Sequence, residues 1–255
     1  MRQLYCRIRT FGASALLVFL AVTNSIAQDS DDGLGTFLAQ QNAAQEPGGN
    51  GGGERAVVRG VFQDVLDYAY PSMAARWRVN PVAVCWENGD EPAMMDLVRN
   101  AVEQTWSRYS NLKFIYWGPC DPASRGIRIV VADRNPRTLG LGNRLDGVPE
   151  GMLLNFAFQK WSPICAESEE RRSECIYVIA VHEFGHAVGF AHEQNRQDTP
   201  DDDCFDKRQG TNGDLLLTPW DIDSVMNYCN PIYGNNGELS DLDKFAVEKI
   251  YEDLP

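Results

Sequence analysis

Histidine is scarce in this chain, with three in 255 residues. A site built from three imidazoles would have to use every one. The seven cysteines contain no C-x-x-C pair, which excludes a thiolate metal site of that spacing. Beyond residue 22 no apolar run is long enough to cross a bilayer. No internal repeat is present, so solenoids and propellers are set aside. Basic residues are outnumbered, 23 Lys and Arg against 36 Asp and Glu, for a formal charge of −13. That balance disfavours nucleic acid and anionic membrane surfaces as partners.

What is present begins with a segment that reads as a secretory leader. Arg2, Arg7 and Arg9 precede an apolar run over residues 11–22, and Ser25-Ile26-Ala27 fits a small-x-small cleavage pattern. An uncleaved anchor is the lesser reading because the run is short. The leader, residues 1–27, holds three Arg and no acid. The remainder has 20 basic and 36 acidic side chains, a formal charge of −16. Cys6 lies in the leader, and the other six cysteines form an even set, which in an exported chain implies disulfides. Six cysteines allow fifteen pairings. Cys165 with Cys175 would close a short loop, and Cys204 with Cys229 would tie two later segments together. The expected location is outside the cytoplasm, extracellular or periplasmic, with no stable membrane insertion.

All three histidines fall within residues 182–192, which read H-E-x-x-H-x-x-G-x-x-H. On a helix, positions four apart share a face, so His182 and His186 can offer two imidazoles to one ion. Gly189 lies where the helix must end. A residue without Cβ can take a left-handed conformation there and bring His192 back as a third ligand. Three neutral nitrogens with one open position make a catalytic zinc site. Glu183 is placed to act as general base on the zinc-bound water. The apolar run at residues 176–181 suits a helix packed under a sheet.

Residues 28–59 read as a flexible linker or removable pro-segment, rich in Gln, Ala and Gly. Arg55 and Arg59 are candidate processing sites. From residue 60 to 255 the composition is globular. Strands are predicted at residues 82–86, 112–117, 126–131 and 151–158, with helices at 91–109 and 173–188. A long surface loop is predicted at 135–149, where Gly, Asn and Pro dominate. After His192 the chain reads as irregular. Five acids between Asp198 and Asp206 could furnish a calcium site, but without EF-hand spacing a solvated loop is favoured. A last helix starts after Ser240 as N-cap and should turn Leu242, Phe245, Ala246, Ile250 and Tyr251 inward.

Three stretches together resemble the metzincin zinc peptidases, and within them the astacin-like branch. One is the zinc motif. A second is its continuation Glu193-Gln194-Asn195-Arg196, similar to that branch's H-E-Q-x-R run. The third is Ser224-Val225-Met226-Asn227-Tyr228, similar to its Met-turn. The resemblance implies an α+β, two-lobed fold. A mixed twisted sheet with helices would form an upper lobe, and an irregular lower lobe would end in a C-terminal helix. It implies a monomeric, secreted endopeptidase with one catalytic Zn2+ on His182, His186 and His192. Tyr228 is implied as a swinging ligand that stabilises the oxyanion. Met226 is implied as an apolar floor, and Glu193 as the anchor of a processed N-terminus. A protein or peptide substrate would lie extended along an antiparallel edge strand at residues 151–158. The family's aspartate-bearing F-x-G-D latency motif is matched loosely by Phe62-Gln63-Asp64, which lacks the glycine. The alternatives are a matrixin-like metzincin and a secreted zinc-binding recognition module without catalysis.

Overall fold

The computed structural model describes residues 69–200, 204 and 207–254. The leader, the linker, Arg55, Arg59 and residues 62–64 lie outside the described residues. So do 201–203 and 205–206 of the acidic stretch.

The centre of the fold is a five-stranded sheet in the order β2-β1-β3-β5-β4. Strand β1 (Val82–Trp86) has nearly every side chain buried and pairs in parallel on both sides, with β2 (Phe114–Pro119) and β3 (Ile127–Val131). A continuous apolar run is what a strand covered on both faces requires. Strand β5 (Met152–Leu154) runs parallel to β3, and β4 (Arg137–Thr138) closes the sheet antiparallel to β5.

This corrects the expected edge. The segment 151–158 is not the antiparallel edge strand: its ladder is three residues long and lies between β3 and β4. It stops because the Asn155 side chain accepts the main-chain N–H groups of Ala157 and Phe158 and turns the chain. Phe156 and Phe158 are still buried, but from a turn. The edge comes instead from the stretch predicted as loop.

Helix α1 (Pro92–Gln104) starts with proline at its first turn and buries Met94, Val98, Ala101 and Val102 at helical spacing. It ends five residues before the predicted limit. Thr105 leaves the helical conformation while its hydroxyl donates to Ala101 O. The chain then inserts Trp106, which donates to Val181 O at 2.8 Å and stacks on Phe190.

Helix α2 (Glu169–Ala187) starts earlier than predicted, because Ser168 caps it and Glu169 and Glu170 complement its N-terminal dipole. Its second half is buried almost all round, the mark of a helix at the centre of a core. The carbonyls left over at its C-terminus are answered from two sides. Trp77 Nε1 donates to Ala187 O and the Tyr251 hydroxyl to Val188 O.

Helix α3 (Asp241–Tyr251) opens on a capping box between Ser240 and Asp243. Its buried face is Asp243, Ala246, Val247, Ile250 and Tyr251. Phe245, expected inward, is 39% exposed, because it lies on the helix face opposite that stripe. Three disulfides staple the fold: Cys85–Cys120, Cys165–Cys175 and Cys204–Cys229. The last two are the pairs singled out from the sequence.

Candidate active site

Helix α2 ends in a Schellman motif, with Phe190 N donating to Gly185 O and Gly189 N to His186 O. Gly189 has φ +107°, outside the range a side chain readily adopts. The reversed chain is then held against the segment at 70–72. Ser72 N donates to Gly189 O, and Ala191 N to Tyr70 O. This carries His192 back over His182 and His186.

The three rings are buried and oriented by main-chain carbonyls. Nδ1 of His182 lies 2.8 Å from Val225 O, Nδ1 of His186 lies 2.8 Å from Phe190 O, and Nδ1 of His192 lies 3.0 Å from Gln209 O. A carbonyl only accepts, so each Nδ1 carries the proton and each Nε2 presents a lone pair. Those Nε2 atoms converge. His192 Nε2 lies 3.3 Å from His182 Nε2 and 3.2 Å from His186 Nε2.

Three convergent lone pairs need a cation between them. Ligand atoms on a tetrahedral zinc with bonds of about 2.0–2.1 Å lie about 3.3–3.4 Å apart. The donor set therefore fits zinc, with each second nitrogen fixed by an outer partner. Among the described residues this is the one group of three or more His, Cys, Asp or Glu that could hold a metal ion. Burial keeps the rings neutral, as ligands must be. Burial, then His192, holds His182 down to about 3. Burial brings His192 to about 4. His186 is held well below the ordinary imidazole value by burial and by both neighbours.

Around this triad the other predicted residues assemble. Glu183 is buried beside His182, and its Oε2 accepts the Thr138 hydroxyl at 2.6 Å. The Tyr228 ring stacks on His182 at 5.1 Å, and its hydroxyl lies 3.2 Å from His182 Nε2. Tyr233 packs against both rings, with its centroid 5.8 Å from Tyr228 and 6.1 Å from His182. Met226 is buried against α2. A Cβ at Gly185 would fall 2.2 Å from its sulfur. Glu193 accepts Asp221 N at 3.0 Å and pairs with the wholly buried Arg196 at 3.0 Å, while its own N–H donates to Met226 O. Burial outweighs Arg196 and pushes the Glu193 carboxyl up to about 8.

Several contributors were missed from the sequence. Asp243 of α3 accepts Ser224 Oγ and Val225 N, and so fixes the turn whose carbonyl orients His182. Gly185 is needed for the approach of Met226. Its signal lay inside the motif, as a small residue between two ligands. Thr138 had no signal, in a strand of two residues. Phe190, Gln209 and Val225 act through main-chain oxygens, which every residue has.

A family model described as Astacin, a peptidase family, matches residues 171–246. Zinc metalloproteinase nas-30 of Caenorhabditis elegans is 34% identical over 83 residues, a match covering 28% of this chain and 10% of that protein. The match thus spans about a tenth of that curated relative's length. A solved structure of myroilysin superposes with a TM-score of 0.50 at 17% identity, covering 72% of this chain and 98% of that one, and so shares its fold. The family implies a catalytic zinc, and the three imidazoles needed to hold it are here in one cluster. On this α+β, metzincin-like fold, the segment that carries the three histidines and the turn around Met226 is the part of the chain that is similar to the astacin family.

Proposed function

We propose that this chain is an exported zinc endopeptidase that hydrolyses peptide bonds with Glu183 as general base. The observation that carries the reading is the pairing of two features. Three imidazoles point their lone pairs at one place, and a carboxylate is buried beside them. A pure binding site would need the first and not the second.

His182, His186 and His192 would hold one zinc ion. When bound, zinc polarises a carbonyl and brings the pKa of its water to about 7. Glu183 would take a proton from the attacking water and return it to the leaving amine. The Tyr228 hydroxyl, one ring's reach from His182 Nε2, would donate to the oxyanion that develops during attack. Among the described residues, strand β4 is the antiparallel edge of the sheet, beside Glu183. A substrate would therefore lie extended along residues 137–138, not along 151–158. Glu193 is buried between Arg196 and the acids Asp221 and Asp243, and its carboxyl would receive a processed amino terminus. Three disulfides support a location where thiols are oxidised.

The test is digestion of an unfolded protein by the zinc-loaded exported chain beside Glu183→Ala. The expected result is cleavage by the first and a rate lower by about 100-fold or more in the second, with zinc retained in both. If neither cuts, the digestion is repeated after trimming near Arg55 or Arg59. Activity appearing then would identify a zymogen. Continued silence with zinc bound would favour the recognition module.

A further inference from the structure

We propose that Thr138 is a positioning residue that ties the docking of an extended substrate to the orientation of Glu183. The proposal rests on the peptidase reading above.

Thr138 faces two ways. Its hydroxyl donates to Glu183 Oε2 at 2.6 Å. Its main chain belongs to the terminal strand of the sheet, where it stands opposite Met152. Leu139 N donates to Gly151 O at 2.9 Å, so residue 139 directs its main-chain groups at the chain leading into β5. In an antiparallel ladder these directions alternate from residue to residue. The N–H and C=O of Thr138 therefore point away from β5, towards the open edge. An added strand would bond to those groups.

The two roles meet in one residue. The terminal torsion of a glutamate is broad when nothing restrains it. A threonine χ1 is stiff, because its Cβ is branched. A hydroxyl on that stiff side chain, 2.6 Å from Oε2 and 3.4 Å from the main-chain O of Glu183, restrains the rotation of the carboxylate. A strand that docks on β4 holds the Thr138 main chain in register, and with it the hydroxyl. A peptide long enough to pair with Thr138 thus settles the base as it binds. The hydroxyl neither touches substrate nor moves a proton, so its action passes through Glu183.

The test compares Thr138→Val and Thr138→Ser in the zinc-loaded exported chain on an extended peptide. Valine keeps the shape and the main-chain edge but removes the donor. The expected result is a kcat lower by roughly tenfold or more, for loss of a hydrogen bond to a charged group, with KM little changed. Serine restores part of the kcat, because it returns the donor without the branched Cβ. Zinc affinity, read by chelator competition, stays at the wild-type value in both. The 13C resonance of the Glu183 carboxylate, assigned through Glu183→Gln, moves with valine and returns with serine. Should valine disturb the sheet, Thr138→Ala removes the same donor without the second methyl. Wild-type kcat in the donor-less variant would overturn the proposal, as would a rise in KM alone or no rescue by serine. A wild-type chain that cleaves nothing would instead overturn the peptidase reading. The carboxylate resonance would then still decide whether Thr138 holds Glu183.

Discussion

Replacing Gly189 with alanine should weaken the fold and the metal site together, and for a conformational reason alone. At φ +107° the nearest neighbour to an added Cβ is Ser72 O, 3.8 Å away, an ordinary contact. No clash contributes. An L side chain held in so sparse a region costs about 1–3 kcal/mol. Alanine returns about 0.4–1 kcal/mol by restricting the unfolded chain. The net loss is then about 1–2 kcal/mol, a fall in Tm of roughly 2–8 °C for a fold of this size. Zinc affinity should fall as well. The turn at Gly189 carries both His192 and the Phe190 carbonyl that orients His186. Urea unfolding of the metal-free chain, zinc competition, and hydrogen exchange at Phe190 N–H would read the three effects.

Gly185→Ala is the control with the opposite cause. Its conformation is helical, but the new Cβ would lie 2.2 Å from Met226 Sδ and 3.0 Å from Trp106 Cζ2. Both partners are buried. Overpacking of this kind costs about 1–3 kcal/mol, and Met226→Ala should relieve part of it. An unchanged urea midpoint for Gly189→Ala would refute the conformational argument. So would rescue of Gly189→Ala by Met226→Ala, since that would point to crowding.

Two further outcomes are expected. Tyr228→Phe keeps the stack on His182 and loses the hydroxyl 3.2 Å from its Nε2. On a saturating peptide its kcat should fall about 100-fold or more, and an undiminished turnover would reduce Tyr228 to a packing role. The metal-free fold should also weaken in acid. The three histidines have depressed folded pKa values, so their stability is complete above about 6.5 and is lost as pH falls. Each proton taken up by the unfolded chain alone costs about 1.4 kcal/mol per pH unit. Glu193, pushed up to about 8, Asp243, pushed to about 6, and Asp221, raised less by burial, act in the opposite sense. Three imidazoles outweigh Glu193 and Asp243 between pH 6.5 and 5, and the smaller shift of Asp221 does not reverse the balance, so the urea midpoint should drop over that interval. A flat or rising midpoint would refute this balance.

The sequence made the site more legible than the sheet. Six of its residues lie in one motif and its continuation, and the stop at Gly189 follows from a single missing Cβ. Strand β1 was read to the residue, because a centre strand buried on both faces is an unbroken apolar run. The edge was misread for the converse reason. Two paired residues, Arg137 and Thr138, show no alternation, and their Gly- and Pro-rich surroundings argue for a loop. The run from 151 to 158 looks like one strand because its phenylalanines are buried, but a side chain, Asn155, turns it. Helix α1 was overextended for a similar cause: Trp106 continues the apolar spacing from outside the helix. In each case burial continued while backbone hydrogen bonding did not, and apolar patterning reports only the first.

The Cys204–Cys229 bond closes a loop that contains Gln209, Val225, Met226 and Tyr228. Two of the three carbonyls that orient imidazoles lie inside it, together with the sulfur below the site and the phenol beside it. A loop of that length gains roughly 3–4 kcal/mol from closure, and the gain vanishes when the sulfurs are thiols. Half of the metal cradle is thus a covalent ring whose existence depends on redox conditions. A newly made chain kept reduced holds those carbonyls by hydrogen bonds alone, such as those from Ser224 and Val225 to Asp243, so oxidation of one cysteine pair reinforces the metal cradle from outside its ligands.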